Sequence, residues 1–322
     1  MWLICYLAPL LPCYSATLTR PVLFLEIVYN VIGPILIVVG LGVLVDRRFR
    51  PDPRALSSAA FYVFVPALVV DGLAHTDVQS GEVGLILLAE IVLTLILALL
   101  GWGVARLLGY DRQLESAFTL AVAFINAGNY DLAVNEFAFG EAGLQRAVIF
   151  FIGTGITGNT LGVFLASRGT ASIRQSLLNT LIVPLPYATL VGLAINLGYT
   201  TLPVPLDRAL TLLGQAAVPV MLFNLGLQLS RTSFKGKVKP LLLATLIRLV
   251  ISPLLAWPMI LLLGLSGLSR QVTLIQAAMP TAVSTTILAA EFGGDTEFSS
   301  AVALISTLAS VVTLTILLAV VM

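Results

Sequence analysis

Charge is what this sequence has least of. Asp, Glu, Lys and Arg make up 10% of its 322 residues, where a soluble globular domain carries about 25%. A chain so poor in charge cannot cover a water-facing surface, which excludes the ordinary soluble folds. A net charge of +1 removes any overall basic field for nucleic acid and any strong attraction for acidic substrates. Histidine and cysteine are almost absent too: His75, Cys5 and Cys13 are all there is. That is too little for a metal site. No H-E-x-x-H, G-x-S-x-G or P-loop pattern occurs either, so neither an enzyme nor a cofactor is expected. Both cysteines lie in residues 1–23, where two free thiols are expected rather than a disulfide.

What is there is hydrophobic: 58% of residues are apolar and the mean hydropathy is +1.03. A membrane-crossing helix needs roughly 20 mostly apolar residues. Ten windows meet this, at 24–45, 56–75, 83–107, 116–136, 144–167, 176–198, 207–229, 239–264, 270–291 and 298–321. The expected fold class is therefore all-α and integral to the membrane. Residues 1–23 are apolar but short, are interrupted by Pro9 and Pro12, and lack a basic start. They are left out of the core as an over-long translation start, with the protein expected to begin near Leu25.

Lysine and arginine give the orientation. Twelve of the 17 fall between windows 1 and 2, 3 and 4, 5 and 6, and 7 and 8; four lie on the other side, and Arg248 lies inside window 8. Cytoplasmic loops carry the excess, so both termini are expected outside a cytoplasmic (inner) membrane.

Fixed-offset comparison finds internal similarity. FVPALVVDGL matches AVPVMLFNLG, pairing Pro66 with Pro219 and Asp71 with Asn224. EFAFGE matches AEFGGD on Glu136 and Glu291, and Thr160-Leu161 matches Thr313-Leu314. Two copies of five spans each would enter the membrane from opposite sides, an arrangement common in secondary transporters. The copies are 24–168 and 176–322, with a cytoplasmic linker at 169–175.

Window 4 is the weakest by hydropathy and carries Asn126-Ala-Gly-Asn129-Tyr130-Asp131. At an offset of 155 it lies over Thr281-Ala-Val-Ser284-Thr285-Thr286, preceded by Pro280. Pro280 removes a backbone donor and disfavours helix at Met279. Backbone freed at midmembrane must be met by protein groups or by a water-lined cavity. Both polar clusters are thus expected at helix breaks, either as structural glue or as a substrate site. The half-helix N-termini would favour an anion. Asp131 stands against that if ionised; it could be protonated, face away, or hold a cation or proton.

Other buried polar residues stay open in their roles. Asp71 is either a coupling site or a hydrogen-bonded structural carboxylate. Glu90 and Arg248 are expected to pair, or Arg248 to snorkel, with a bidentate grip on a substrate carboxylate as the alternative. Asn159 either faces the breaks or packs helices. His75 is given no role, and Glu136 and Glu291 are expected at solvated helix ends.

These stretches, FVPALVVDGLAHT, NAGNYDLAVNEFAFGEAGLQRAVIFF, TLGVFLAS, AAVPVMLFNLGLQL and AAMPTAVSTTILAAEFGGD, resemble the auxin efflux carrier family, which includes bacterial malate and malonate permeases. The resemblance spans 27–321. It implies ten helices in two inverted five-helix repeats, with spans 4 and 9 broken and crossing, a fold shared in outline with bile-acid sodium symporters. Asn126 and Pro280 fall on the family's crossover positions, while Ile125 and Ala133 stand where it usually has prolines. A homodimer through scaffold helices is also implied.

The functional expectation is a secondary transporter of a small organic anion, working as an efflux permease within the lipid bilayer by an elevator or rocking motion. Asn126, Asn129, Tyr130, Pro280, Thr281, Ser284, Thr285 and Asn159 are the substrate candidates, with Asp131, Asp71 and Asn224 as coupling candidates. A sodium- or proton-coupled symporter is the alternative within transport, and a channel or receptor the alternative outside it.

Overall fold

The computed structural model describes residues 20–76, 78–167, 183–232 and 237–322. The expectations for most of 1–23, for the linker 169–175 and for the start of window 6 lie outside the described residues. Among those described the chain is helical, and the sole β-type pairing is an isolated bridge between Ile125 and Thr281.

Among the described residues, seven helices are long and apolar enough to cross a membrane: α1 Phe24–Phe49, α2 Pro53–Ala74, α3 Gly81–Leu107, α5 Asp131–Ala166, α7 Val204–Ser230, α8 Val238–Leu262 and α11 Thr296–Val321. Shorter helices lie between them: α4 Arg112–Ala123, α6 Leu185–Asn196, α9 Gly267–Ala277 and α10 Ser284–Phe292. Aspartates start three of these helices by accepting first-turn amides. They are Asp52 before α2, Asp111 before α4 and Asp295 before α11. Gly140 (φ 67°) bends α5 and Gly293 (φ 70°) ends α10, both in the left-handed region open to glycine.

Prolines widen three of the long helices without ending them. Gly33, Val65 and Ser252 each precede a proline and donate five residues back, to the carbonyls of Val28, Ala60 and Ile247. Pro34, Pro66 and Pro253 have no N–H, and their rings crowd the carbonyl four residues earlier. The local answer is one π turn in each of α1, α2 and α8.

The helices pack as a panel and a core. The panel is α1, α2, α6 and α7. Its backbones touch at Gly42 of α1 and Gly226 of α7, where a Cβ on either would strike the carbonyl of Phe223 or Val39. Close approach through small residues is how helices associate where lipid removes the hydrophobic drive. Arg231 ties the ends of the same two helices, with Nε 2.8 Å and Nη2 2.6 Å from Asp46 Oδ1. The core is α3, α4, α5, α8, α9, α10 and α11. The seam between the two bodies runs along α5, which faces α2, α6 and α7, and along α1 against α11.

Candidate functional site

Helix α4 stops at Ala123 and α5 begins at Asp131; α9 stops at Ala277 and α10 begins at Ser284. The two connecting stretches meet. The Asn126 N–H donates to the Pro280 carbonyl at 2.8 Å, and the Ala282 N–H to the Phe124 carbonyl at 3.0 Å. Thr281 is fully buried; its Oγ1 donates to the Ala121 carbonyl at 2.8 Å and its N–H to Ser306 Oγ at 3.1 Å. Backbone groups released by the two interruptions thus satisfy one another, as a low-dielectric interior demands. Pro280 accounts for the second interruption. In the first, the Asp131 N–H reaches back five residues to the Asn126 carbonyl at 3.3 Å, and at Gly128 a Cβ would lie only 2.6 Å from Met221 Cε.

A cavity of about 560 Å³ lies in the seam. The core contributes residues 124–129, Asn159 and 282–285 to its wall, and the panel contributes Ser57, Tyr62, Met221, Asn224 and Gln228. Among the described residues, the amides of Gly128, Asn129, Val283 and Ser284 have no backbone or side-chain acceptor. These four residues line this cavity, beside the N-termini of α5 and α10. The Asn126 side-chain nitrogen, a donor, and Asn224 Oδ1, an acceptor, are buried in the same region without a partner. In this largely apolar wall, the unpaired amides and the positive ends of two helix dipoles make a setting that favours negative charge.

The candidates divide clearly. Asn126, Asn129, Asn159, Asn224, Ser284 and Thr285 line the cavity. Asn159 donates to the Gly155 carbonyl at 2.8 Å and Asn224 to Ser57 Oγ at 3.0 Å. Tyr130, Pro280 and Thr281 are buried behind that wall. Asp131 is fully buried and is not part of the wall; Asn135 donates to its Oδ1 at 2.6 Å. Asp71 is far along α2, accepting from Thr211 at 2.6 Å and lying 3.4 Å from His75, whose other ring nitrogen is 3.6 Å from Asp207. Glu136 is half-buried and Glu291 exposed.

The expected Glu90–Arg248 pair is not formed, and Arg248 does not snorkel. Arg248 is fully buried, with Nη1 2.9 Å from the Val122 carbonyl and Nη2 2.7 Å from the Ala277 carbonyl. Glu90 accepts from Thr94 at 2.9 Å and Thr157 at 2.8 Å. Carbonyls left open at two helix ends offer Arg248 more, and in better geometry, than a distant carboxylate does. Sequence reasoning also missed Ser57, Met221 and Gln228, which face the cavity from the panel. Nothing in their spacing marks them, because panel and core meet only in three dimensions.

A larger hollow of about 710 Å³ sits where α3 ends and α4 begins, lined by Trp102, Arg106 and Tyr110 among others. It touches neither interruption, and Arg106 is already held 3.3 Å from Glu115.

Comparison with known proteins relates the chain to membrane transporters. The chain is 31% identical over 281 residues to an "Uncharacterized transporter" of Methanothermobacter thermautotrophicus, covering 85% of this chain and 89% of that protein. It is 26% identical over 293 residues to a protein of Rhizobium meliloti named "Putative malonate transporter", covering 86% and 91%. A further "Uncharacterized transporter", from Methanocaldococcus jannaschii, is 26% identical over 247 residues. These relatives are transporters rather than enzymes. The family model described as "Membrane transport protein" matches residues 27–318, and the chain belongs to that family, the auxin efflux carrier family its sequence resembles.

Proposed function

We propose that this protein is a secondary transporter that moves a small organic anion, of the malonate class, out across the cytoplasmic membrane. The observation that carries the reading is the cavity at the seam. The unpaired amides of four lining residues and two helix N-termini converge on it, and Asp131 is not part of its wall. A carboxylate bound there would meet hydrogen-bond donors without a competing negative charge.

The same reading takes the fold as ten spans in two inverted five-helix repeats, 24–168 and 176–322. In its support, α4, its interruption, the first part of α5 and Gly140 recur as α9, its interruption, α10 and Gly293. The panel acts as scaffold, and the core carries the substrate by an elevator or rocking motion. The wall residues Ser57 and Gln228 lie at the ends of α2 and α7 that hold Arg54 and Arg231. With the basic ends in the cytoplasm and the termini outside, the cavity opens inward, ready to load for export. A membrane potential negative inside drives an anion outward by about 2.3 kcal/mol per charge per 100 mV.

The test is electrogenic flux in proteoliposomes challenged with malonate, malate, simple monocarboxylates and an indole acid. Saturable current to one of them supports the reading. Unitary conductance without saturation would make the protein a channel, and saturable binding without flux would make it a receptor.

A further inference from the structure

We infer that Arg248 is a tethered cation that takes the place of a coupling ion where the two interrupted helices meet. The inference rests on the transporter reading above but on different atoms. In transporters with broken helices, unwound carbonyls and half-helix C-termini are where a coupling sodium or proton is held. Here α4 and α9 end beside one another, and both ends are taken by one guanidinium. Nη1 lies 2.9 Å from the Val122 carbonyl and 3.4 Å from that of Ala123, in the last turn of α4. Nη2 lies 2.7 Å from the Ala277 carbonyl, the last of α9, and 2.5 Å from Ser252 Oγ. Ser252 itself donates to the Ala277 carbonyl at 2.6 Å.

The charge balance points the same way. Arg248 has no exposed surface, and among the described residues no carboxylate forms an ion pair with it. A buried, unpaired charge is strongly destabilising. Each helix C-terminus carries about half a negative charge, so two converging ends come close to balancing one guanidinium. The π turn before Pro253 runs from Ile247 to Ile251. It sets Arg248 on α8 just ahead of Ser252, and both reach the Ala277 carbonyl. Three carbonyls and a hydroxyl therefore form an oxygen cluster fit for a monovalent cation, with a side chain already in it.

The consequence is that transport needs no sodium or potassium. The test uses the full chain in proteoliposomes at fixed voltage, with labelled malonate and Na⁺, K⁺ or choline as the cation. Wild-type flux is expected to be equal in all three; loss of flux in choline overturns the inference. Arg248→Ala is expected to lower flux about tenfold in choline, and millimolar guanidinium or Na⁺ should recover it. Full flux without any cation response also overturns it. A merely structural arginine would not leave behind flux that depends on Na⁺. Should Arg248→Ala fail to fold, Arg248→Lys is expected to keep flux and Arg248→Gln to lose it; equal behaviour of these two defeats the inference. Should wild type carry no malonate, thermal unfolding in detergent still decides. Guanidinium should then raise the melting temperature of Arg248→Ala and leave wild type unmoved, whereas no difference overturns the inference independently of the substrate.

Discussion

The amide nitrogen of Asn126 lies 2.8 Å from the carbonyl oxygen of Pro280. This backbone bond holds the two interruptions together; Asn126 lines the cavity, and its side-chain nitrogen is buried without a partner. If that nitrogen meets the anion, Asn126→Ala removes a hydrogen bond to a charged group, worth about 1.5–3 kcal/mol. Half-saturation by malonate should then rise about tenfold or more. Asn126→Asp should be worse than Asn126→Ala, because an ionised carboxylate repels the substrate. Equal half-saturation values for the two variants would remove Asn126 from the site.

At Gly128 the core packs closely against the panel beside the cavity. A Cβ there would lie 2.6 Å from Met221 Cε and 3.1 Å from Phe151 Cε2. Met221 is on the panel and its end is flexible, so Gly128→Ala should fold with little loss of stability. Flux should fall several-fold, because the added methyl group obstructs the seam. Met221→Ala in the same chain should restore it, a coupling that a double-mutant cycle measures. Additive losses would place the effect elsewhere.

Gly42 and Gly226 face backbone rather than a movable side chain. Gly42→Ala or Gly226→Ala must therefore push α1 and α7 apart, at a cost of about 1–3 kcal/mol for overpacking. The melting temperature in detergent should drop for each. The double variant should lose less than the sum, because one separation serves both methyl groups. Half-saturation by malonate in the protein that remains folded should stay unchanged, since neither residue lines the cavity.

Asp111 gives a pH signature outside the membrane. Its Oδ1 accepts the Leu114 N–H at 2.9 Å and the Gln113 N–H at 3.1 Å, and Lys237 lies 3.4 Å from Oδ2. The bond from Leu114, then the Lys237 ammonium, holds its carboxyl below the ordinary 3.8. A depressed carboxylate stabilises the fold above its unfolded value and loses that contribution as pH falls through the folded one. Asp111→Ala should thus be less stable than wild type by about 0.5–2 kcal/mol near neutral pH, the usual cost of an N-cap. The difference should shrink as pH drops below about 3.8. The exposed pair with Lys237 adds little, so Lys237→Ala should change stability only slightly.

Composition by itself determined that this chain is a helical membrane protein, because so few charges cannot cover a soluble surface and long apolar runs leave helix as the way to satisfy the backbone. Family membership was legible in NAGNYD and AAMPTAVSTT, whose polar residues are conspicuous in apolar surroundings. Local chemistry was legible as well: Pro280 marked an interruption. The tertiary structure decided which polar residues share a site. Asn126, Asn224 and Ser284 are brought to one cavity, while Asp131, next to Asn129 in the chain region, is turned away and Asp71 lies in a separate cluster. It also decided that Arg248 holds helix ends rather than Glu90. Sequence spacing fixes which face of one helix a residue occupies, but partners across a seam follow from how helices from distant parts of the chain pack. That packing is set by small-residue contacts such as Gly42 with Gly226, which no single segment encodes.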